Sequence, residues 1–178
     1  MRRRVKNPCR ESKRWLCSRY VPFGQVDQML EEFIVQAKSN TYVGGGDQSA
    51  APTRPGSHDL SYREGDWHYI DSYFGGTDFI GQEVVWHLGV PVWAMSYYGR
   101  ILRPDMIDGT TAGEVIQRSL SMLYREGRFL GGFTHPVDDL TYVDTNTGDF
   151  NSFTGLERIY RGHVETYRLD YHGGIIKP

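Results

Sequence analysis

The feature that most constrains the fold is a stretch of sequence that occurs twice. "FIGQEVVWHLGVPVWAMSYYGRI" covers residues 79–101, and "FTGLERIYRGHVETYRLDYHGGI" covers residues 153–175. Both stretches begin Phe-x-Gly-x-Glu, continue with an aromatic residue and a turn glycine, and end in a tyrosine followed by a glycine and an isoleucine. The matched residues are Phe79, Gly81, Glu83, Trp86, Gly89, Trp93, Tyr97, Gly99 and Ile101, and Phe153, Gly155, Glu157, Tyr160, Gly162, Tyr167, Tyr171, Gly173 and Ile175. Repetition of this kind predicts two copies of one structural unit.

Each stretch is predicted to be the last hairpin of a unit that begins with a helix. In residues 26–37 the apolar side chains, from Val26 through Met29 to Ala37, recur every three or four residues, which is typical of one buried helix face. "TTAGEVIQRSLSMLYREG" predicts a second helix, with capping-box spacing at Thr111 and Glu114 and a stop at Gly127.

Short strands separated by turn residues follow both predicted helices. After the first helix they are "DLSYRE", "WHYIDSYF", "FIGQEVVWH" and "VPVWAMSYYGRIL". After the second they are "LTYVD", "DFNSFTG", "ERIYRG" and "VETYRLDYHGGII", with residues 128–138 as a connection and a turn at Asn146-Thr147-Gly148. We therefore expect an α+β fold, in which two helix-plus-antiparallel-meander units form a curved sheet or two facing sheets with the helices packed against them.

The charge of the chain is divided unevenly between its N-terminus and its body. Of 20 basic and 22 acidic residues, eight basic residues and only Glu11 fall in residues 1–20, which leaves the remainder with 12 bases, 21 acids and a net charge of −9. We expect residues 1–22 to be a disordered basic arm and residues 23–178 to form a single domain. An acidic body does not suit nucleic-acid binding, so direct contact with nucleic acid is expected only through the arm.

The sequence predicts a cytoplasmic protein. No apolar run approaches the roughly 20 residues that span a bilayer, and no apolar segment follows the N-terminal arginines as it would in a secretory signal. Both cysteines, Cys9 and Cys17, lie in the arm, so there is no disulfide framework, as is typical of a reducing compartment. Their spacing matches no zinc motif.

Alternation in the strand "WHYIDSYF" places aromatic residues and one carboxylate on the same face. The turn predicted at Pro55 and Gly56 in "RPGSHD" would direct the next residues toward that face. Asp71 would then be partly desolvated, and its pKa should rise unless a residue such as Arg54 pairs with it. The candidate ligand-binding residues are His58, Asp59, Trp67, Tyr69, Asp71, Tyr73, Trp93, Tyr97 and His172.

The repeat separates functional from architectural candidates. Glu83 and Glu157 occur in both copies, which favours a shared structural role, whereas Asp71 has no aligned counterpart and is the better functional candidate. Trp93 is matched by Tyr167, so its truncation should reduce stability. Residues 39–57 read as a long Gly/Ser/Pro-rich loop, and such loops are often functional lids or disordered.

No familiar catalytic or nucleotide-binding motif is present. "YVGGGDQS" is rich in glycine but lacks the lysine and the preceding strand of a P-loop, and there is no Gly-x-Ser-x-Gly elbow. No histidine or carboxylate spacing matches a metal site, so no metal is predicted, and the cofactor is unknown.

Three long segments carry a resemblance to a known family. "RPGSHDLSYREGDWHYIDSYFGG", "GQEVVWHLGVPVWAMSYYGR" and "YHGGII" occur in this order. Over roughly residues 27–177 the chain resembles a bacterial family of unknown function, whose members stand alone or fused behind a helix-turn-helix regulator of the Xre (Cro-like) type. The resemblance implies no activity. The arm here is too short for a helix-turn-helix.

Three functions agree with these observations. The first is a small-molecule-binding or sensory domain, working alone or with a separate regulator, with self-association left open. The second is a small hydrolase- or lyase-like enzyme that uses His58 or His172 with Asp71, which requires the two groups to meet in one cleft. The third is a toxin–antitoxin or stress-related interaction protein, which the acidic body permits.

Overall fold

A computed structural model describes residues 23–44 and 52–177 of the chain. The predicted basic arm, residues 1–22, lies outside the described residues. Of the predicted loop 39–57, the structure describes residues 39–44 and 52–57.

Residues 23–44 and 52–177 form two α-helices and eight strands, and each α-helix precedes four strands. Helix α1 spans Phe23–Lys38 and continues into a π-helix at Ser39–Val43, where a loop was predicted, and helix α2 spans Gly109–Arg125. The first four strands are β1 His58–Glu64, β2 Trp67–Gly75, β3 Phe79–His87 and β4 Val90–Ile101. The last four are β5 Phe133–Val137, β6 Leu140–Asp149, β7 Ser152–Arg161 and β8 Val164–Ile175.

All eight strands belong to one open antiparallel sheet. The order across it is β1-β2-β3-β4-β8-β7-β6-β5, so the last strand of each meander pairs with the other at the centre. In that central pair Tyr97 lies directly opposite Tyr171. The prediction of an α+β fold with antiparallel meanders is confirmed, and the alternative with two facing sheets is not found in the described part of the chain.

Helix α1 buries most of the face that its apolar spacing predicts. Leu30, Phe33, Ile34 and Ala37 are buried, but Met29 is 44% exposed although it was assigned to the same face. Neither α1 nor α2, the helices of the described residues, is long and apolar enough to cross a membrane.

Helix α2 has a capping residue at its start and a glycine stop at its end, and the predicted position of the cap was wrong. Asp108, rather than the predicted Thr111, is the N-cap, because its Oδ1 accepts a hydrogen bond of 2.7 Å from the Thr111 backbone N–H. Gly127 follows the helix with φ of 74°, and its N–H donates to the Tyr124 carbonyl, as its predicted role as the stop requires.

Two strand predictions in the second half were wrong. Residues 128–138 contain strand β5, which holds Pro136 because an edge strand tolerates a residue that cannot donate to the ladder. Strand β6 runs through the predicted turn at Asn146-Thr147-Gly148, and the chain turns instead at Phe150 and Asn151. Strand β7 is therefore continuous across the predicted break before Glu157.

Candidate functional site

A half-open cavity of about 230 Å³ lies between one face of the sheet and helix α2. Small residues of α2, namely Gly109, Ala112 and Gly113, line its helical side, and their short side chains leave room above the sheet. Seven aromatic residues also line it: Tyr42, Tyr69, Tyr73, Phe79, Tyr97, Tyr124 and Tyr167. Ligand sites typically combine such apolar walls with a few polar groups.

Lys38, Glu83 and Asp71 form a buried charged cluster on one side of the cavity. Lys38 lies on the buried stripe of α1, four residues after Ile34, so its ammonium reaches the sheet, where Nζ is 2.6 Å from Glu83 Oε1 and 2.5 Å from Oε2. Asp71 faces Glu83 across the β2–β3 pair, and Tyr97 donates a hydrogen bond of 2.6 Å to Asp71 Oδ1. All three charged residues are less than 10% exposed.

The pKa of Asp71 is raised to about 7. Burial is the largest cause, and the neighbouring Glu83 charge adds to it, since two adjacent carboxylates resist simultaneous ionisation. The hydrogen bond from Tyr97 and the charge of Lys38 oppose this rise but do not cancel it. Asp71 is therefore able to exchange a proton near neutral pH.

A second acidic pair lies on the same face in the other half of the sheet. Glu157 faces Asp144 across the β6–β7 pair, and Tyr171 donates a hydrogen bond of 2.7 Å to Asp144 Oδ1. Glu157 lines the cavity, whereas Asp144 is 3% exposed and does not. Burial, followed by the Asp144 charge, raises the pKa of Glu157 to about 8.

Four of the residues predicted to form a site line the cavity. These are Tyr69, Asp71, Tyr73 and Tyr97. Arg54, named as a possible partner for Asp71, donates instead to the Ser72 carbonyl and hydroxyl at 2.9 and 2.8 Å. Because Ser72 points to the opposite face from Asp71, Arg54 leaves that carboxylate without a guanidinium partner.

His58 and Asp59 follow the predicted turn, in which the Ser57 N–H donates to the Arg54 carbonyl, but neither lines the cavity. His58 is exposed on the edge strand, with its ring 5.1 Å from that of Tyr73. Asp59 points to the other face of the sheet. Although burial opposes the change, hydrogen bonds from Ser72 and Thr53 lower the pKa of Asp59 to about 2, so this residue anchors the turn.

Trp67, Trp93 and His172 also lie outside the cavity lining. Trp67 stacks between Phe33 and His87, at ring distances of 5.5 and 4.2 Å. Trp93 is fully buried in the core. His172 is exposed and pairs with Ser96, one residue out of step with the row that contains Asp71, so it projects from the opposite face. His172 and Asp71 do not meet.

Sequence reasoning missed several residues around the cavity. Lys38 was recognisable, because it continues the buried spacing of Leu30 and Ile34 on α1. Asp144 was not matched to Asp71, although Asp71 faces Glu83 as Asp144 faces Glu157. The alignment started at residue 79 and so stopped before the strands that carry these two aspartates.

The fold and site together define an α+β protein with one antiparallel sheet and a half-open cavity lined by acidic and aromatic residues. A family model described as a domain of unknown function (DUF5680) matches residues 71–176, more than half of the chain. The chain belongs to the DUF5680 family. The match includes both acidic pairs and begins after Lys38. No curated protein sequence and no solved structure matches the chain.

Proposed function

We propose that this chain is a small-molecule-binding or sensory domain and that the ligand occupies the cavity between the sheet and α2. The supporting observation is the cavity itself, which combines seven aromatic side chains with the charged groups of Lys38, Asp71, Glu83 and Glu157. Its volume of about 230 Å³ is below the roughly 300–1,000 Å³ of most ligand pockets, which favours a small ligand.

The resemblance to domains fused behind Xre-type regulators favours a sensory role in transcriptional control. In that role the domain acts in the bacterial cytoplasm and reports its ligand to a separate regulator. The ligand would act by binding one conformation of the domain more tightly than another.

Enzymatic activity is the second candidate, supported by two carboxyl groups with raised pKa values in one cavity. The pKa of Asp71 is about 7 and that of Glu157 about 8, and groups that titrate near neutral pH suit general acid–base catalysis. This mechanism replaces the His–Asp pair expected from the sequence, since neither His58 nor His172 lines the cavity.

We also infer that the two halves of the sheet derive from one repeated unit. Tyr97, Asp71 and Glu83 in the first half have the same pairing relations as Tyr171, Asp144 and Glu157 in the second. Gly81 faces Tyr97 and Gly155 faces Tyr171 in the same way.

Blocking the cavity tests the proposed function. Gly113→Leu places a side chain at a cavity-lining position where an added Cβ meets no atom within 4 Å. Thr110→Leu, at an exposed position of the same helix outside the lining, is the matched control. A metabolite library is screened by thermal shift, since a ligand that binds only the folded protein raises Tm. Hits that stabilise wild type and Thr110→Leu but not Gly113→Leu support the proposal, and hits insensitive to Gly113→Leu contradict it.

A further inference from the structure

The ionisable groups that line the cavity are mostly acidic. Among the described residues, Lys38 is the one basic residue of the lining, against Asp71, Glu83 and Glu157. Its ammonium lies within 2.6 Å of both Glu83 oxygens and so pairs with that carboxylate. In the described part of the chain no other cation of the lining is left for Asp71 and Glu157, and Asp144 places a further carboxyl group beside Glu157.

Polar atoms on the cavity wall also lack partners. Glu157 Oε2 accepts no hydrogen bond from the described residues, although the Tyr142 hydroxyl is close enough to the carboxyl group to lower the Glu157 pKa. The Tyr167 side chain is 1% exposed, and its hydroxyl also has no partner in the described part of the chain. Asp71 uses only Oδ1, in its bond with Tyr97. Buried polar atoms are rarely left unsatisfied, so these atoms point to a ligand that donates hydrogen bonds.

The walls suit an organic cation better than a metal ion or an anion. In residues 23–44 and 52–177 no group of three or more His, Cys, Asp or Glu side chains is arranged to hold a metal ion. An anion would meet Asp71 and Glu157 with no free cation to receive it. Aromatic faces, by contrast, attract cations and pack against an apolar body.

We propose that the cavity binds a small organic amine in its protonated form, with the ammonium group donating hydrogen bonds to Asp71 and Glu157 and the carbon skeleton packed between the aromatic walls. This inference rests on the proposed function, because it names the ligand class of the same cavity. A cavity of about 150 Å³ accommodates benzene, so one of about 230 Å³ has room for an amine with a short aliphatic or phenylalkyl chain.

Amine binding should release protons at neutral pH. Their pKa values of about 7 and 8 leave Asp71 partly and Glu157 mostly protonated at neutral pH, and an ammonium group would replace those protons. The titratable groups around Asp71 and Glu157 in the described part of the chain are Lys38, Tyr42, Asp59, Tyr69, Tyr73, Glu83, Tyr97, Tyr124, Tyr142, Asp144, Tyr167 and Tyr171. Apart from Lys38 and Asp59, the charged groups among them belong to the two acidic pairs. Because Asp71 and Glu157 lose their protons as pH rises, we expect the affinity for amines to rise between pH 6 and pH 8.

The test compares probes that differ only in their head group. Hexylamine, hexanol and hexanoate, and 3-phenylpropylamine, 3-phenylpropanol and 3-phenylpropanoate, are titrated against the full chain by calorimetry at pH 7.5. We expect each amine to bind roughly 10- to 100-fold more tightly than its alcohol, the range for hydrogen bonds to a charged group. Calorimetry in two buffers of different ionisation enthalpy should also show proton release.

Variants then locate the ammonium group. Asp71→Asn and Glu157→Gln should each weaken amine binding by roughly 10- to 100-fold. Asp144→Asn is the matched control, because Asp144 belongs to the same acidic group but lies outside the lining, and it should keep tight binding. Asp71→Asn should also keep the fold, since its amide oxygen still accepts from Tyr97; circular dichroism checks this for each variant.

The outcomes separate this inference from the proposed function. Alcohols or carboxylates that bind as tightly as the amines, and lose binding in Gly113→Leu, overturn the amine assignment and leave the cavity as a binding site. No binding by any probe counts against both proposals. Tight amine binding without proton release would contradict an ammonium group bound at Asp71 and Glu157. So would a loss of binding in Asp144→Asn as large as the loss in Asp71→Asn or Glu157→Gln. If a variant does not fold, the comparison of amines with alcohols and carboxylates on the wild-type protein still tests the assignment of an amine ligand.

Discussion

The two halves of the sheet place matching acidic pairs on one face but surround them differently. Beside Asp71 and Glu83, in the β1–β4 half, the space is open and bounded by small residues of α2. Against the β5–β8 half, the rings of Phe129 and Phe153 contact each other and Trp93 of β4, at centroid distances of 5.7–6.0 Å. Most sheet residues that line the cavity thus belong to the first half, whereas the packed aromatic cluster lies mainly against the second.

The phenylalanines that begin the repeated stretches show the difference most directly. Phe79 lines the cavity and is partly exposed, whereas Phe153 is 3% exposed against Phe129. Phe129 comes from the connection after α2, for which the first half has no described equivalent. The presence of the cavity therefore depends on what covers the repeated sheet more than on the sheet itself.

The largest expected effect on stability comes from truncating a side chain of the packed aromatic cluster. Trp93→Ala should destabilise the protein by about 4–5 kcal/mol, the upper part of the range for a buried tryptophan, because the ring is fully buried and contacts both Phe129 and Phe153. Urea denaturation followed by circular dichroism measures this loss. Phe79→Ala, on the cavity side, should cost clearly less, and equal costs would contradict the distinction between the halves.

Removing the lysine should have the next largest effect. Lys38→Met leaves Glu83 buried without its cation, and we expect a loss of about 3 kcal/mol, the lower end of the range because water in the cavity can reach Glu83. The same denaturation experiment applies. Adding Glu83→Gln to Lys38→Met should restore part of the stability; a double variant no more stable than Lys38→Met would contradict a buried ion pair.

Equivalent glycines offer a matched test of the open and closed halves. An added Cβ at Gly81 would collide with the Tyr97 ring, and one at Gly155 with the Tyr171 ring. Tyr97 has the cavity to move into, whereas Tyr171 packs against Phe153. Gly155→Ala should therefore cost about 3 kcal/mol, the upper end of the range for overpacking, and Gly81→Ala less, although its Cβ would also meet the Tyr73 Cβ at 2.7 Å. The reverse order would show that the cavity is not free space.

The pH dependence of stability should distinguish Asp71 from an ordinary surface aspartate. Its folded pKa of about 7 lies above its usual value, so the folded state holds a proton that the unfolded state has lost between about pH 4 and pH 7. The free energy of unfolding should fall as pH rises through that window, by at most about 1.4 kcal/mol per pH unit for one proton. Asp71→Asn should flatten this part of the profile in denaturation between pH 5 and pH 8.

The sequence predicted the parts of the structure that follow from periodicity. Alternation alone placed Trp67, Tyr69, Asp71 and Tyr73 on one face, and the helical spacing of α1 located most of its buried side. Such patterns report which way a side chain points, and they do not report which distant groups meet. His172 was grouped with Asp71 because both were near glycines or acids in the chain, but the register of β4 and β8 places them on opposite faces.

The cavity could not be predicted for the same reason. It depends on the distance between α2 and the sheet, which small residues such as Gly109 and Gly113 determine only after the helix has docked. The assignment of Glu83 and Glu157 to architecture from their repetition overlooked a second possibility: a residue can occur in both copies and still face a site, as Glu157 does.

The smallest effect concerns Trp93 and Tyr167, which occupy matched positions in the repeated stretches. Trp93 Nε1 donates to the Phe150 carbonyl at 3.0 Å, whereas the buried Tyr167 hydroxyl has no hydrogen-bond partner in the described residues. Trp93→Phe should therefore cost at least about 1 kcal/mol for the lost hydrogen bond and packing, but Tyr167→Phe should change stability by less than about 0.5 kcal/mol, since it removes an unsatisfied group. Denaturation of both variants measures these values. If Tyr167→Phe proved as costly as Trp93→Phe, the Tyr167 hydroxyl would already have a hydrogen-bond partner within the protein. It would then no longer count among the unpartnered atoms that indicate a ligand.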